Sequence, residues 1–442
     1  MNQIHQIPEM QSLNGLQDVI RIPCEIDVPM TRRVRKLIDT PEFRRLARIS
    51  QLGLVSLVYP AANHTRFEHS LGVYRMALLY LQRLSQFDRF HKMVTQEDAE
   101  LFIVAALLHD LGHWPFCHPI EDLELPGVPE HELFANSFLL EGEVANTLRD
   151  DWGINPRDVV TLLSGNPQTS SGELLQSMLS GPIDIDKMDY LQRDSLHAGV
   201  PYGRNFDQQR LIGSLCLNPN GNRIAISEKG KTAAEMMVFA RYVMFSEVYW
   251  HHTVRSATAM LQRVFFLIYK DLDLDGLFRL DQEQFIQFFR KKAKDESVDE
   301  LAAGLFGKTR RLYKRLMEIN YQEDAELYSL LAHQDYSFLC RCAELMASDL
   351  SRKLGVPVTP SQILIDAPPK GHETEFLVDI ISAPANQSVE LKTVSPVVNA
   401  LAGPLFERQV KRVRVFVAPK IKPKITANID LKSMLAIATE LA

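Results

Sequence analysis

The segment that most constrains this chain is Leu101–Leu108, eight apolar residues that run straight into His109-Asp110. The run is far too short to span a bilayer, which takes about 20 residues, so it reads as a buried helix of a globular core. An imidazole and a carboxylate at the end of such a helix are costly to desolvate unless both are compensated. A divalent cation compensates both, because near a helix end adjacent side chains can turn towards one ion. Two further segments concentrate the same residue types. One is His64-Thr65-Arg66-Phe67-Glu68-His69; the other is Asp184-Ile185-Asp186-Lys187-Met188-Asp189-Tyr190, continuing to Asp194. His69 and Asp186 would complete, with His109 and Asp110, a set of two imidazoles and two carboxylates. Such N/O ligation suits Mn, Fe, Mg, Zn, Ni or Co and leaves positions open for water and phosphate. Each piece alone is weak. A lone histidine in an apolar helix is usually a hydrogen-bonded core residue, and Asp184, Asp186 and Asp189 read equally well as a capping cluster. The conjunction of the three, in order, carries the reading.

The rest of the chain fits a mainly α protein. Its 442 residues suggest about two or three domains. Hydrophobic residues at 46% supply a large core, and a net charge of -6 gives no general attraction to nucleic acid or membrane. Five cysteines without a CxxC pair fit a reducing compartment. No basic patch followed by an apolar stretch opens the chain, so no signal peptide is expected and a cytoplasmic location is.

Helical periodicity runs through Arg32–Leu46, with a break at Asp39-Thr40-Pro41, and through Phe67–Leu84, Glu97–Leu108, residues 232–270 and parts of 310–353. Gly112–Pro129 holds four prolines and reads as a loop with one short helical turn. Asn218–Ser227 reads as a hairpin around Asn220-Gly221. After residue 355 the pattern becomes strand-like at Ile363–Ile365, Glu375–Ile381, Ser388–Leu391 and Arg412–Val417. The expected organisation is a helical body, residues 1–355 with its metal-site core at about 45–260, and a smaller C-terminal α/β lobe, residues 356–442. The basic segment Arg408–Lys424 alternates basic and apolar residues. It reads as a half-buried, solvated edge strand or as a binding surface: a subunit contact, an inter-subunit nucleotide site or a path for single-stranded nucleic acid.

The order H…HD…D resembles the HD-domain superfamily. The fuller stretches HTRFEHSLGV, HDLGHWPFCH and DIDKMDYLQRD resemble deoxynucleoside triphosphate triphosphohydrolases of the sterile-alpha-motif-and-HD-domain type and their bacterial dGTPase-like relatives. The resemblance is strong over about residues 18–260 and looser beyond. It implies a metal held by His69, His109, Asp110 and Asp186, and a triphosphate held by Arg66, Lys187, Tyr190 and Arg241. Gln51, Leu52, Asp194 and Tyr249 fall on positions beside the deoxyribose. His113, His118 and His131 fall on histidines around the α-phosphate, with Glu121, three residues after His118, where the family has Asp. The implied reaction is attack of metal-activated water on phosphorus, with His118 as acid oriented by Glu121, yielding deoxynucleoside and inorganic triphosphate.

The resemblance also implies a homo-oligomer, dimer or tetramer. It weakens at regulation. Asp18 and Ala47 stand where regulated members place basic residues, so activation by nucleotides at that site is not expected, nor is a sterile-alpha-motif domain. Trp114 occupies a position that is often glycine. Other readings of the same residues are an HD-type phosphohydrolase or nuclease acting on another nucleotide or nucleic acid end, or a nucleotide-sensing or nucleic-acid-binding module without turnover.

Overall fold

A computed structural model describes residues 3–13, 15, 18–23, 26–293, 295–370, 378–382, 387–401, 408–426 and 428–442. The helices that organise it are α1 (Arg66–Leu84), α2 (Gln96–Leu108), α3 (Cys117–Glu121), α4 (His131–Phe134), α5 (Ile185–His197), α6 (Lys231–Met244), α7 (His252–Ile268) and α8 (Tyr336–Leu354). The long ones begin where the sequence offers a cap. Thr65 accepts from Glu68 N at the start of α1, and Thr95 forms a reciprocal capping box with Asp98 at the start of α2. Asp184 caps α5 by accepting from Lys187 N. α8 ends on Gly355, which takes the left-handed conformation that glycine adopts without a Cβ penalty.

The chain forms two compact units. The first comprises Met1–Trp114, Glu130–Met244 and Thr374–Gly403; the second comprises Pro115–Pro129, Phe245–Glu373 and Pro404–Ala442. In the first unit α1 packs on α2 and on α5. Phe102 to Leu108 are all fully buried, so α2 is the central helix of this core. The strand pair Leu215–Leu217 and Ile224–Ser227 forms the expected hairpin, with Gly221 at φ +85°. Ile224–Ser227 continues in parallel to Asp379–Ser382, which pairs with Gln387–Glu390. Residues 375–377 of the expected strand Glu375–Ile381 lie outside the described residues.

The second unit holds α7, α8 and a three-stranded antiparallel sheet of β1 (Lys314–Ile319), β2 (Ile363–Asp366) and β3 (Val413–Val417), with β3 in the centre. Three expectations differ from the structure. Lys314–Ile319, within a stretch read as helical, is a strand. The basic segment does not form an edge strand: β3 is flanked on both sides and buried at every position. Its charged member Arg414 is accommodated because Glu318 on β1 accepts from its Nε at 2.6 Å, while Arg412, just before the strand, pairs with the same carboxylate. The periodic stretch 232–270 is also interrupted. A π-helical turn, Phe245–Tyr249, and then Trp250-His251 separate α6 from α7. Among the described residues no helix is long and apolar enough to cross a membrane.

Candidate metal centre

The centre lies in the first unit, where the N-terminal part of α1, the C-terminal end of α2 and the first turn of α5 converge. His109 is the C-cap of α2, and its Nδ1–H donates to Ala106 O at 2.9 Å. His69 donates its Nδ1–H to Asp189 Oδ2 at 2.9 Å. A ring that carries one proton on Nδ1 leaves the Nε2 lone pair for a cation, and the two Nε2 atoms face each other at 3.2 Å. Around them stand Asp186 Oδ1, 3.0 Å from His69 Nε2 and 3.9 Å from His109 Nε2, and Asp110 Oδ1, 3.5 Å from His109 Nε2. Ligands about 2.1 Å from one ion and about 90–109° apart lie roughly 3.0–3.4 Å from each other. Two imidazole lone pairs and two carboxylates at this spacing repel unless a positive charge sits among them, a metal ion or a proton on His69. The electrostatics agree. Burial opposes a charge on His69, but hydrogen bonds to Asp186 and Asp189 override it and raise its pKa to about 10. Burial opposes charge on Asp110 too, yet the neighbouring His113 and Arg66 hold its carboxyl well below the usual range. The site favours positive charge: His69, His109 and Asp110 bring ligand atoms within 4.8 Å of one another, a group that could hold a metal ion, and Asp186 Oδ1 stands beside the two imidazoles.

Arg66, the first residue of α1, donates from Nη1 to Asp110 Oδ2 at 2.7 Å. Its Nε is buried without a partner. Lys187 reaches Asp184 Oδ2 at 2.5 Å and Gly181 O at 3.2 Å. Burial raises the Asp184 carboxyl to about 6 in spite of that ammonium. Burial also raises Tyr190 to about 12, and the charges of Arg241 and Lys187 restrain the rise, so these three groups share one electrostatic neighbourhood. Arg241 itself is buried on α6.

Gln51 and Leu52 follow the bridge between Ser50 and Thr65, and Gln51 N donates to His64 O at 2.9 Å. Asp194 is buried on α5 and accepts from His64 Nε2 at 2.8 Å. His64 stacks on His197 at 4.4 Å between ring centroids. His113 Nδ1 lies 3.1 Å from Asp110 Oδ1, and its ring is 3.9 Å from that of His131. That proximity needs Gly112, because a Cβ there would stand 2.1 Å from His131 O. Arg45 secures the same loop, donating from Nη2 to both Leu111 O and His113 O at 2.9 Å. His118 and Glu121 belong to the second unit, on α3, with His118 Nδ1 3.3 Å from Glu121 Oε2. Tyr249, also of the second unit, ends the π-helical turn with its ring edge-on to Phe245. Trp114 is fully buried, edge-on to Phe134.

Sequence reasoning assigned no role to Asp189, Arg193, Glu68, Gly72, His64, His197 or Arg45. Two signals bear on some of them: Asp189 and Arg193 are four apart on α5 and Glu68 and Gly72 four apart on α1, and His64, Glu68, Gly72, Asp189 and Arg193 stand inside the stretches HTRFEHSLGV and DIDKMDYLQRD.

Residues 66–194 match the HD domain model, and residues 206–440 match the model of an HD-associated region. The chain is 34% identical over 309 residues to an uncharacterised protein of Methanocaldococcus jannaschii, a match covering 69% of this chain and 60% of that one. It is 33% identical over 318 residues to YwfO of Bacillus subtilis, covering 66% and 70%. It is 28% identical over 278 residues to the human deoxynucleoside triphosphate triphosphohydrolase SAMHD1, covering 56% and 44%, so it spans less than half of that relative. Among solved structures, a hypothetical protein from Aquifex aeolicus superposes with a TM-score of 0.69 at 28% identity, covering 92% of this chain and 98% of that one. A phosphohydrolase from Bacteroides thetaiotaomicron shares the fold, with a TM-score of 0.67 at 22% identity, covering 90% and 99%. With an HD domain and its associated region together accounting for most of its length, the chain belongs to the HD-domain phosphohydrolase family.

Proposed function

We propose that the protein is a metal-dependent deoxynucleoside triphosphate triphosphohydrolase. The observation that carries the reading is Arg66. A buried guanidinium bonded to Asp110 and still holding an unpartnered Nε–H awaits an anion beside the metal position. The cationic and phenolic groups of Lys187, Tyr190 and Arg241 extend that positive neighbourhood, which suits a ligand with several phosphates. The distant similarity to SAMHD1 supports the nucleotide class.

When bound, a divalent metal on His69, His109, Asp110 and Asp186 supplies a Lewis acid that polarises the phosphate and acidifies water. In this reading Arg66, Lys187, Tyr190 and Arg241 hold the triphosphate, and Gln51, Leu52, Asp194 and Tyr249 line the sugar. His113 and His131 stabilise charge on the α-phosphate. His118, oriented by Glu121, protonates the departing 5′-oxygen. The protein acts in the cytoplasm as a homo-oligomer.

One specific observation favours a second anion site. The second unit holds a cavity of about 600 Å³ lined by Arg310, Arg311, Lys314, Arg315, Lys422 and His252 among others. A polyanion, nucleotide or nucleic acid, is the class such a lining takes, and a salt-dependent mobility shift with oligonucleotide checks the nucleic-acid form.

The deciding experiment incubates the purified protein and Mn²⁺ or Mg²⁺ with each dNTP and NTP and resolves the products by chromatography. Deoxynucleoside plus inorganic triphosphate is expected. Monophosphate plus pyrophosphate, or shortening of an oligonucleotide in place of dNTP cleavage, overturns the reading.

A further inference from the structure

Behind His69 lies a buried charge cluster that never reaches the metal position. Asp189 Oδ2 accepts from His69 Nδ1 at 2.9 Å and from Arg193 Nε at 2.8 Å; Asp189 Oδ1 accepts from Arg193 Nη2 at 2.7 Å. Arg193 Nη1 continues to Glu68 Oε1 at 2.6 Å, and His197 Nε2 meets the same oxygen at 2.9 Å. Asp189 and Arg193 are each 4% exposed. A buried ion pair is weak evidence for a stabilising role, since well-packed apolar residues of the same volume often serve as well or better. This one has a geometric cost on record. Gly72 sits inside α1, where glycine is less favourable than alanine by about 1 kcal/mol. A Cβ at that position would stand 1.9 Å from Asp189 Oδ1 and 2.4 Å from Arg193 Nη2. The helix carries glycine where the clamp must pass.

We propose that Asp189, clamped by Arg193 and Glu68 and admitted by Gly72, is a positioning residue that sets the metal affinity of the centre through His69. A carboxylate on the far ring nitrogen pins the tautomer, so that Nε2 always presents its lone pair, and it raises the basicity of that lone pair. Arg193 holds the carboxylate in one orientation with a bidentate fork, and Glu68 fixes the fork. The proposal rests on His69 being a metal ligand.

The test measures metal affinity directly. Protein stripped with a chelator is titrated with Mn²⁺ against a fluorescent competitor, for the wild type, Asp189→Asn, Glu68→Gln and Gly72→Ala. Asp189→Asn is expected to weaken Mn²⁺ binding about 10–100-fold, with turnover recovering towards the wild-type kcat at saturating Mn²⁺. Gly72→Ala, which alters no polar group, is expected to shift affinity in the same direction. Glu68→Gln, at the far end of the clamp, gives a smaller loss of the same sign and stands in if Asp189→Asn does not fold. Wild-type Mn²⁺ binding with unchanged affinity in the folded variants overturns the proposal alone. A wild-type protein that binds no divalent ion overturns the metal centre and the proposal with it. A loss of kcat at saturating metal without a change in affinity also overturns it, since that would place Asp189 in the chemistry and not behind the ligand.

Discussion

The two units each bury a charge cluster, and the clusters have opposite surpluses. In the first unit the five carboxylates of Asp110, Asp184, Asp186, Asp189 and Asp194, all buried but the half-buried Asp186, outnumber by one the cations Arg66, Lys187, Arg193 and Arg241, and the Nε2 atoms of His69 and His109 face each other among them. In the second unit Arg255 is buried against Asp366 and Arg414 against Glu318, while Arg263 is buried with Nη1 on Pro360 O and Lys411 is buried over the Trp250 ring. Burying charge is expensive in either sign, so each surplus points to what the region is built to meet. The first is short of a cation, which a metal supplies. The second is rich in guanidinium groups, and the cavity beside it is lined with more. The contrast also separates roles: the first cluster is incomplete as a set of side chains, whereas the Arg255–Asp366 and Glu318–Arg414 pairs close on themselves.

The largest effect that could break this contrast is on turnover. Asp186→Ala, or removal of metal with a chelator, is expected to lower dNTP hydrolysis about 10³-fold or more. In the proposed reaction a metal held there would contribute several kcal/mol of transition-state charge stabilisation, at about 1.4 kcal/mol per decade. Product chromatography checks it, and retained activity would mean that the acidic surplus serves something other than a metal.

Next comes stability. Arg255→Met strands Asp366, which is 2% exposed and takes bonds of 2.6 to 3.2 Å from the guanidinium. A loss of about 3–5 kcal/mol in urea unfolding is expected, and the double variant Arg255→Met/Asp366→Leu should recover most of it. A single-variant loss under about 1 kcal/mol, typical of an exposed pair, would show that the second cluster is not closed.

The smallest effect is in the pH dependence. Burial works to raise the Glu318 carboxyl, but hydrogen bonds from Arg414 and Arg412 hold it at about 2. Its folded pKa is depressed below the ordinary value of 4.5. The stability it contributes is therefore complete above about pH 4.5 and lost as pH falls towards 2. Acid unfolding should show Glu318→Gln less stable at neutral pH and less sensitive to pH across that window. Identical slopes in the two proteins would remove Glu318 from the account.

Much of the candidate site was legible because its parts are local. Thr65 and Asp184 cap helices three residues before Glu68 and Lys187, and His109-Asp110 ends a helix whose apolar run is continuous in the chain. What the sequence left open lies in pairings between distant residues. Asp189 meets His69 across 120 positions, and Asp194 meets His64 across 130. The strand Lys314–Ile319 was hidden because its partner, Val413–Val417, is nearly a hundred residues away and its own six residues carry no turn signal that separates them from the helices around them.

The sequence by itself marked the mainly helical body and the three segments in which His69, His109, Asp110 and Asp186 stand, because periodicity and residue type act within a few positions of the chain. Only the tertiary structure decided that Asp110 and Asp186 come within 3.0–4.0 Å of the His69 and His109 Nε2 atoms, that a glycine in α1 makes room for the Asp189 clamp, and that the basic strand is central and not at an edge. Those facts depend on which surfaces are removed from water together. Burial makes a charge costly or useful only once its neighbours from other segments are in place.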